Sequence, residues 1–348
     1  MPSKTRPGPW PRAIGLLVLA ALLGAFSTAA YVDARGLDYF SRDQVERHQA
    51  VIDGHAGNPW QYRVLAPYLV ERIAARVAPH RQPERMATIF LVFRWLQDTS
   101  ILLLAFAYYG ALGLPTAHRL VGMAMLAWGI SYSHYDSDMQ FNTFFDVIFY
   151  LLAALCVIRQ RWRWLVLITL VAAFNRETSG LMAFLLLPVA MINEPRSPRV
   201  WWPAVRRVMP TMGVSLVVYA AVFLWLRMHF GAQELRIPYD HAPGPSLFLY
   251  NVARVITWQQ LLATLSIVPI VALAYYRRWP DQLRVFFWVL VPAWCVVHAV
   301  GAVMAEARLF LVPQALVFIP GALSALAVPT RTTAPGLPDR SDATLPAS

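Results

Sequence analysis

Polar clusters that could perform acid–base chemistry or bind an anion interrupt the long apolar runs of this chain at five places. Charge inside or beside hydrocarbon is costly, so each interruption marks residues that need a partner or have a function. A carboxylate there could act as a general base or hold a cation, and an arginine could bind a phosphate. The clusters are Asp33/Asp38/Asp43, His134–Asp138, Asn175–Thr178, Tyr239–His241 and Glu306–Arg308.

The first cluster, Asp33, Asp38 and Asp43, lies just beyond the first apolar run. We expect Asp38 to be its functional member, because the apolar and aromatic neighbours in Leu37–Phe40 can bury it against a pocket wall. The alternative is a solvated loop in which these aspartates form ion pairs with nearby arginines.

The second cluster, His134–Asp138, forms a short turn between two apolar runs. Asp136 and Asp138 are two residues apart, which resembles a metal-binding or phosphosugar-binding loop, and a divalent cation (Mg or Mn) could sit there. We place His134 at the same substrate-binding turn. The alternative is an ordinary turn, since tight turns favour Asp and Ser for backbone reasons.

Two arginine-bearing segments suit a phosphate. Tyr62 and Arg63 end the segment Asn58–Arg63, which precedes the predicted amphipathic helix, and an arginine between aromatic side chains at headgroup level can bind phosphate oxygens. An interfacial aromatic belt with a snorkelling arginine is the alternative. The segment Asn175–Thr178 is flanked by apolar residues on both sides, so Arg176 and Glu177 need partners.

The candidate substrate ligands in the segment Asn175–Thr178 are Asn175, Arg176 and Glu177. The alternative is a helix break in which Arg176 and Glu177 form an ion pair with each other. Glu306 and Arg308 form a similar charged entry to the last apolar run. The segment Tyr239–His241, in a loop rich in Pro and Gly, could be a lid or only a turn.

The composition indicates a polytopic membrane protein. Of the 348 residues, 58% are hydrophobic and 14% are charged, against roughly 25% charged in a soluble domain. The net charge is +11, nearly all from arginine, since Lys4 is the only lysine. These arginines lie in short loops, which favours topology control and contact with anionic lipid rather than nucleic acid. No phosphate-binding glycine loop, zinc site or nucleophile elbow is present in the sequence.

A helical span needs about 20 apolar residues, and the sequence predicts an all-α protein with about ten spans, including short broken ones. Residues 1–12 are an expected cytoplasmic N-terminus, 13–328 a single membrane domain and 329–348 a disordered cytoplasmic tail. The predicted spans are 13–32, 86–109, 118–133, 142–158, 164–174, 179–193, 208–228, 258–276, 283–302 and 308–328.

Arginine placement predicts the topology. With the basic N-terminus inside, the inner loops receive most of the arginines of the short connections, as the positive-inside rule requires. This assignment needs 164–193 to be two short helices that meet at 175–178. The outer segment 33–85 carries charges of both signs, and its stretch 64–78 has the spacing of an interfacial amphipathic helix. A cleaved signal peptide is the alternative for the first span.

The layout resembles that of the C-type (GT-C) membrane glycosyltransferases and their uncharacterised bacterial relatives. The shared features are an acidic first outer loop, a long juxtamembrane stretch, a second acidic outer loop and short broken helices. The segments Tyr62–Pro67, Asn175–Thr178 and Glu306–Phe310 are similar to recurrent phrases in such relatives. The resemblance covers most of the chain.

The resemblance implies a hexosyl- or pentosyltransferase that takes a sugar from a polyprenyl-phosphate donor and passes it to an envelope glycan, lipid or protein acceptor. It assigns the catalytic base to the first outer loop, hence to Asp38, with Asp33 or Asp43 as substitutes. The second acidic loop corresponds to Asp136 and Asp138. Arginine richness with almost no lysine indicates a high-GC bacterium, so we expect an inner-membrane protein with a periplasmic active face.

Two rival functions remain open from the sequence. A transporter or flippase of a lipid-linked or small anionic solute predicts polar residues along a path to both faces. A non-catalytic scaffold predicts that substitutions of Asp38 and Glu177 leave function intact.

Overall fold

The computed structural model describes residues 9–136, 139–191 and 198–326. Within these ranges the chain is helical, and its isolated β-bridge between Asn58 and Leu235 belongs to no strand. The predicted all-α class is therefore confirmed. The predicted N-terminal segment up to residue 8, the tail 329–348 and Asp138 lie outside the described residues.

We number thirteen α-helical elements in chain order. They are α1 (Pro9–Arg35), α2 (Gln44–Ile52), α3 (Leu65–Val77), α4 (Pro83–Ala111), α5 (Thr116–Tyr132), α6 (Asn142–Ile158), α7 (Leu165–Ala173), α8 (Pro198–Phe230), α9 (Pro245–Ala253), α10 (Val255–Leu265), α11 (Val268–Ala274), α12 (Asp281–Gly301) and α13 (Ala307–Leu326). A 3₁₀ helix, Glu177–Met191, lies between α7 and α8.

Helices lie at all ten predicted spans, but they differ in length and apolarity. In the described part of the chain five are long and apolar enough to cross a membrane by length and composition: α1, α4, α8, α12 and α13. The predicted span 258–276 is instead the pair α10 and α11, bent by 72° at their junction. The helices α6, α7 and Glu177–Met191 are apolar but shorter. Ten crossings therefore remain a prediction.

The helix α13 lies at the centre of the bundle. In its apolar window 89% of the residues are buried, against 22% for α1 and 17% for α8. Large apolar side chains of α1 and α8, such as Leu22 and Met228, are exposed. A soluble protein rarely exposes such faces, whereas lipid would cover them. The apolar helices and these faces indicate a membrane protein.

Close packing around α13 depends on a small residue. A Cβ atom added to Gly321 would lie 2.6 Å from Cε2 of Trp279, which is itself buried. The absence of a side chain at Gly321 thus lets the indole of Trp279 pack directly on the α13 backbone.

Two local predictions are confirmed. The stretch 64–78 forms α3, which buries Ala66, Val70 and Ala74 at a spacing of four residues while Leu69 and Ile73 are exposed; its location at the membrane interface remains a prediction. The predicted break is also present: α7 ends at Ala173 and the next helix begins at Glu177.

Candidate functional site

A cavity of about 380 Å³ lies where several helix ends converge. Its size is within the range of roughly 300–1,000 Å³ that small-molecule sites occupy. Among the described residues, six charged side chains line it: Arg47, Arg63, Arg176, Arg308, Asp136 and Glu306. Four of the five polar clusters found in the sequence contribute a lining residue, because the turn before α6, the break after α7, the loop after α8 and the start of α13 all meet there.

The break after α7 is held by a residue that sequence reasoning missed. Asp146 on α6 is fully buried, and its carboxylate accepts hydrogen bonds from Asn175 Nδ2 and Thr178 Oγ1, both at 2.9 Å. Nη1 of Arg176 lies 3.4 Å from Oδ2 of the same carboxylate. An aspartate four residues into an apolar helix needs such partners, and this was the signal that could have identified it.

The backbone of the break is fixed as well. Asn175 donates a second bond, 2.8 Å long, to the carbonyl of Asn142, and the hydroxyl of Tyr150 donates to the carbonyl of Thr178 at 2.6 Å. Buried polar groups are costly unless bonded. The irregular segment between the two helices is therefore anchored to α6, which holds Arg176 at the cavity wall.

Arg63 and Glu177 pair across the same wall. Nε and Nη2 of Arg63 both donate to Oε2 of Glu177, at 3.1 and 2.9 Å. The expected alternative of an internal ion pair within the break is therefore wrong, because Glu177 contacts Arg63 while Arg176 contacts Asp146. Each charge of the break is compensated by a different chain segment.

Arg308 joins the start of α13 to the turn before α6. Its Nη1 donates to the backbone carbonyls of Tyr135, at 2.7 Å, and of Asp136, and its Nη2 pairs with Glu306. The side chain of Arg308 is only 8% exposed, whereas that of Glu306 is 22% exposed. Arg308 thus fixes the loop that carries Asp136 and presents positive charge to the cavity.

The loop after α8 crosses the mouth of the cavity. The hydroxyl of Tyr239 donates to Oδ2 of Asp136 at 2.9 Å. Burial and the neighbouring Asp136 carboxylate raise the pKa of Tyr239, so its hydroxyl stays protonated and remains a donor. Tyr239 has a positive φ of 51°, a conformation that is unfavourable for a side-chain-bearing residue.

The first-loop aspartates do not line the cavity. The rings of Tyr39 and Phe40 are buried and pack against Tyr31. The residue before them, Asp38, is exposed. The expectation that these neighbours bury Asp38 against a pocket wall is therefore wrong: the helical backbone turns Asp38 away from the face that carries the aromatic rings.

The other two aspartates of the loop follow the solvated alternative. Asp33 is exposed, and Asp43 forms an exposed ion pair with Arg42, with Nε and Oδ1 3.1 Å apart. An exposed pair of this kind contributes little to stability.

Two further candidates have other roles in the geometry. The hydroxyl of Tyr62 bonds the backbone of Gly231 and Gln233, so this buried ring anchors the loop after α8. His134 is half-buried and is not among the residues that line the cavity; burial and the neighbouring Arg35 lower the pKa of its imidazole.

The described residues do not offer the donor set of a divalent cation. No group of three or more His, Cys, Asp or Glu side chains lies close enough to hold a metal ion within the described ranges, and Asp138 falls outside them. Asp136 already accepts the Tyr239 hydroxyl and shares the described part of the cavity lining with four arginines. A hard cation prefers about six or more oxygen ligands, so the predicted Asp136/Asp138 metal site remains a prediction.

Arg47, which was not a site candidate from the sequence, and Trp60, an aromatic residue of the segment that ends at Arg63, also line the cavity. The guanidinium of Arg47 on α2 lies over the indole of Trp60, 4.3 Å from the ring centroid.

Comparison of the chain with protein-family models, with curated proteins and with solved structures found no match.

Proposed function

We propose that this chain is a membrane glycosyltransferase that moves a sugar from a polyprenyl-phosphate donor to an envelope glycan, lipid or protein acceptor. The observation that carries the proposal is the cavity, in which arginines from four chain segments surround two accessible carboxylates at the end of an apolar helical bundle. A lipid-linked donor needs both features: positive charge for its phosphate and an adjacent apolar surface for its chain.

The arginines suit the leaving group. Arg63, Arg176 and Arg308 face one cavity, and each is oriented by a carboxylate behind or beside it. A guanidinium held in this way binds phosphate oxygens without reorganising during the reaction. The departing lipid phosphate needs this charge stabilisation more than it needs an acid.

The proposed transfer uses a carboxylate of the cavity as base. An acceptor hydroxyl oxygen attacks the anomeric carbon, its proton passes to Asp136, and the bond between the anomeric carbon and the phosphate oxygen breaks with its electron pair leaving on the phosphate. Asp136 is our choice over Asp38 because Asp136 lines the cavity and Asp38 does not. Glu306, which is paired with Arg308, is the second cavity carboxylate.

We place the cavity on the periplasmic side of a bacterial inner membrane, with ten crossings and both termini cytoplasmic. Arginine distribution along the sequence supports this orientation. The convergence of the polar clusters at one end of the bundle agrees with a site that opens to a single face, whereas a transporter requires a polar path to both.

The test is transfer of labelled sugar from a panel of hexosyl and pentosyl polyprenyl phosphates in membranes that contain wild type, Asp136→Asn or Asp38→Asn. Membrane levels of each variant are matched first. Loss of a general base lowers the rate by about 10²–10⁴-fold, which we expect for Asp136→Asn and not for Asp38→Asn. Asp281→Asn, at the start of α12, is the control substitution.

Each other outcome has a meaning. Loss of sugar transfer in Asp38→Asn alone would place the catalytic base in the first outer loop, and the proposed glycosyltransferase activity would stand. Absence of transfer from every donor and acceptor, with flux of a lipid-linked solute in proteoliposomes, would replace the proposal with the flippase.

A further inference from the structure

Arg47 differs from the other three arginines of the cavity in its partners. Arg63, Arg176 and Arg308 each contact a carboxylate. The side chain of Arg47 makes no hydrogen bond or ion pair with the described part of the chain, and its guanidinium lies over the ring of Trp60. A guanidinium in this position keeps its in-plane N–H donors for another partner.

A second cation, Arg236, lies near Arg47. Burial and the nearby Arg236 lower the pKa of Arg47, while Glu46 and Tyr39 act in the opposite direction. An arginine side chain remains charged in proteins. A half-buried cation next to a second cation is stabilised by an anion, and the cavity is the space that such an anion can enter.

Three of the four arginines in the described lining of the cavity are paired with a carboxylate, and Arg176 takes its partner, Asp146, from outside the lining. Glu306 is held by Arg308, and the nearby Glu177 is held by Arg63. Arg47, on the side of the cavity that α2 forms, is therefore the lining arginine without an ion-pair partner in the described part of the chain.

We propose that Arg47, seated on Trp60, binds a second anionic phosphoryl group, in addition to the one that Arg63, Arg176 and Arg308 bind. The inference rests on the proposed function, because it takes the cavity to be a lipid-phosphate site. The second group belongs either to a donor that carries a diphosphate or to a separate phosphate-bearing acceptor. In either case Arg47 would contact an anionic phosphoryl group.

The test measures binding of farnesyl phosphate and farnesyl diphosphate to the full-length detergent-solubilised protein by isothermal titration calorimetry, without an acceptor. We expect wild type to bind the diphosphate about 10-fold more tightly, which is the effect of one charge-assisted contact. Arg47→Ala should lose this preference and keep the monophosphate affinity, and Arg47→Lys should restore part of it. Arg42→Ala, an exposed arginine paired with Asp43, is the matched control.

A third titration separates the two sources. Inorganic phosphate is added to wild type that is saturated with farnesyl phosphate; binding that disappears in Arg47→Ala would assign the second group to a separate molecule. Preference for the diphosphate without binding of inorganic phosphate would assign it to the donor.

Equal weakening of both lipids in Arg47→Ala, or no change in either, would overturn the inference. Thermal unfolding of Arg47→Ala and Arg47→Lys shows whether a lost preference reflects misfolding. Binding of the monophosphate with no diphosphate preference in wild type refutes the second site alone. No binding of either lipid removes the phosphate site on which the proposed function also depends.

Discussion

Nη1 of Arg176 lies 3.4 Å from Oδ2 of Asp146, and this carboxylate is fully buried in α6. The same carboxylate bonds Asn175 and Thr178, so one side chain organises three of the four residues in the helix break. A buried charge is tolerated only with such compensation. Asp146 is thus a positioning residue that holds Arg176 at the cavity without lining the cavity itself.

Replacement of Asp146 should therefore destabilise the fold and disturb the site. In Asp146→Asn the guanidinium of Arg176 loses its buried counter-charge, and breaking a buried pair costs about 3–5 kcal/mol. We expect a clear fall in the thermal midpoint in detergent. Asp281→Asn removes a half-exposed partner of Arg284 at the start of α12 and should cost less than about 1 kcal/mol.

Equal midpoints for Asp146→Asn and wild type would show that the carboxylate does not compensate Arg176. A fall of the same size in Asp281→Asn would show instead that any loss of an aspartate charge destabilises the protein.

The coupling between Arg63 and Glu177 can be measured directly. The side chains retain 14% and 28% of their exposure, so the pair is partly desolvated and joined by two hydrogen bonds. A double-mutant cycle with Arg63→Ala and Glu177→Ala should give a coupling on the order of 1 kcal/mol in the free energy of unfolding. The exposed pair Arg42 and Asp43 should give a value near zero.

An additive cycle, in which the double variant loses the sum of the two single losses, would mean that Arg63 and Glu177 stabilise the wall independently. The binding test with farnesyl phosphate then decides whether Arg63 still contacts a ligand.

Apolar run length and polar breaks predict the helices well, because each depends on local sequence. The break at Asn175–Thr178 and the helix α3 could both be predicted, since charge in an apolar run and four-residue spacing are visible without tertiary contacts. The bend between α10 and α11 could not, because apolar composition alone does not distinguish a straight span from a broken one.

Side-chain partners could not be predicted in the same way. The sequence offers Glu177 as the nearest partner of Arg176, yet packing brings Asp146 to Arg176 and Arg63 to Glu177. Asp38 had aromatic neighbours in sequence, but successive residues of a helix point in different directions, so burial of Tyr39 did not bury Asp38.

A buried histidine between α2 and α3 should make local stability depend on pH. His48 lies 3.0 Å from Glu71, and burial lowers its pKa although Glu71 acts in the opposite direction. Because the unfolded chain binds the proton more readily, the stability from His48 is full above its ordinary pKa of about 6.5 and falls as the pH drops below it. Hydrogen exchange of α3 amides between pH 7.5 and 5 reports this loss.

Glutamine cannot be protonated in this range, so His48→Gln should flatten the pH dependence of α3 exchange. The exposed His80 is the matched control, and His80→Gln should leave the dependence of wild type in place. Faster exchange at higher pH, after correction for the intrinsic rate, would reverse the sign of the His48 contribution.

Sidedness can be tested with single cysteines in a background that lacks Cys156 and Cys295. Ala232, in the loop that reaches the cavity, and Ala117, at the opposite end of α5 from the cavity, are both exposed. With the cavity outside, a membrane-impermeant maleimide should label Ala232→Cys in intact cells and Ala117→Cys only after permeabilisation. The reverse pattern would place the cavity in the cytoplasm and exclude an outer-face transferase. Labelling of both in intact cells would mean that the helices between these positions cross the membrane an even number of times, contrary to the ten-span topology.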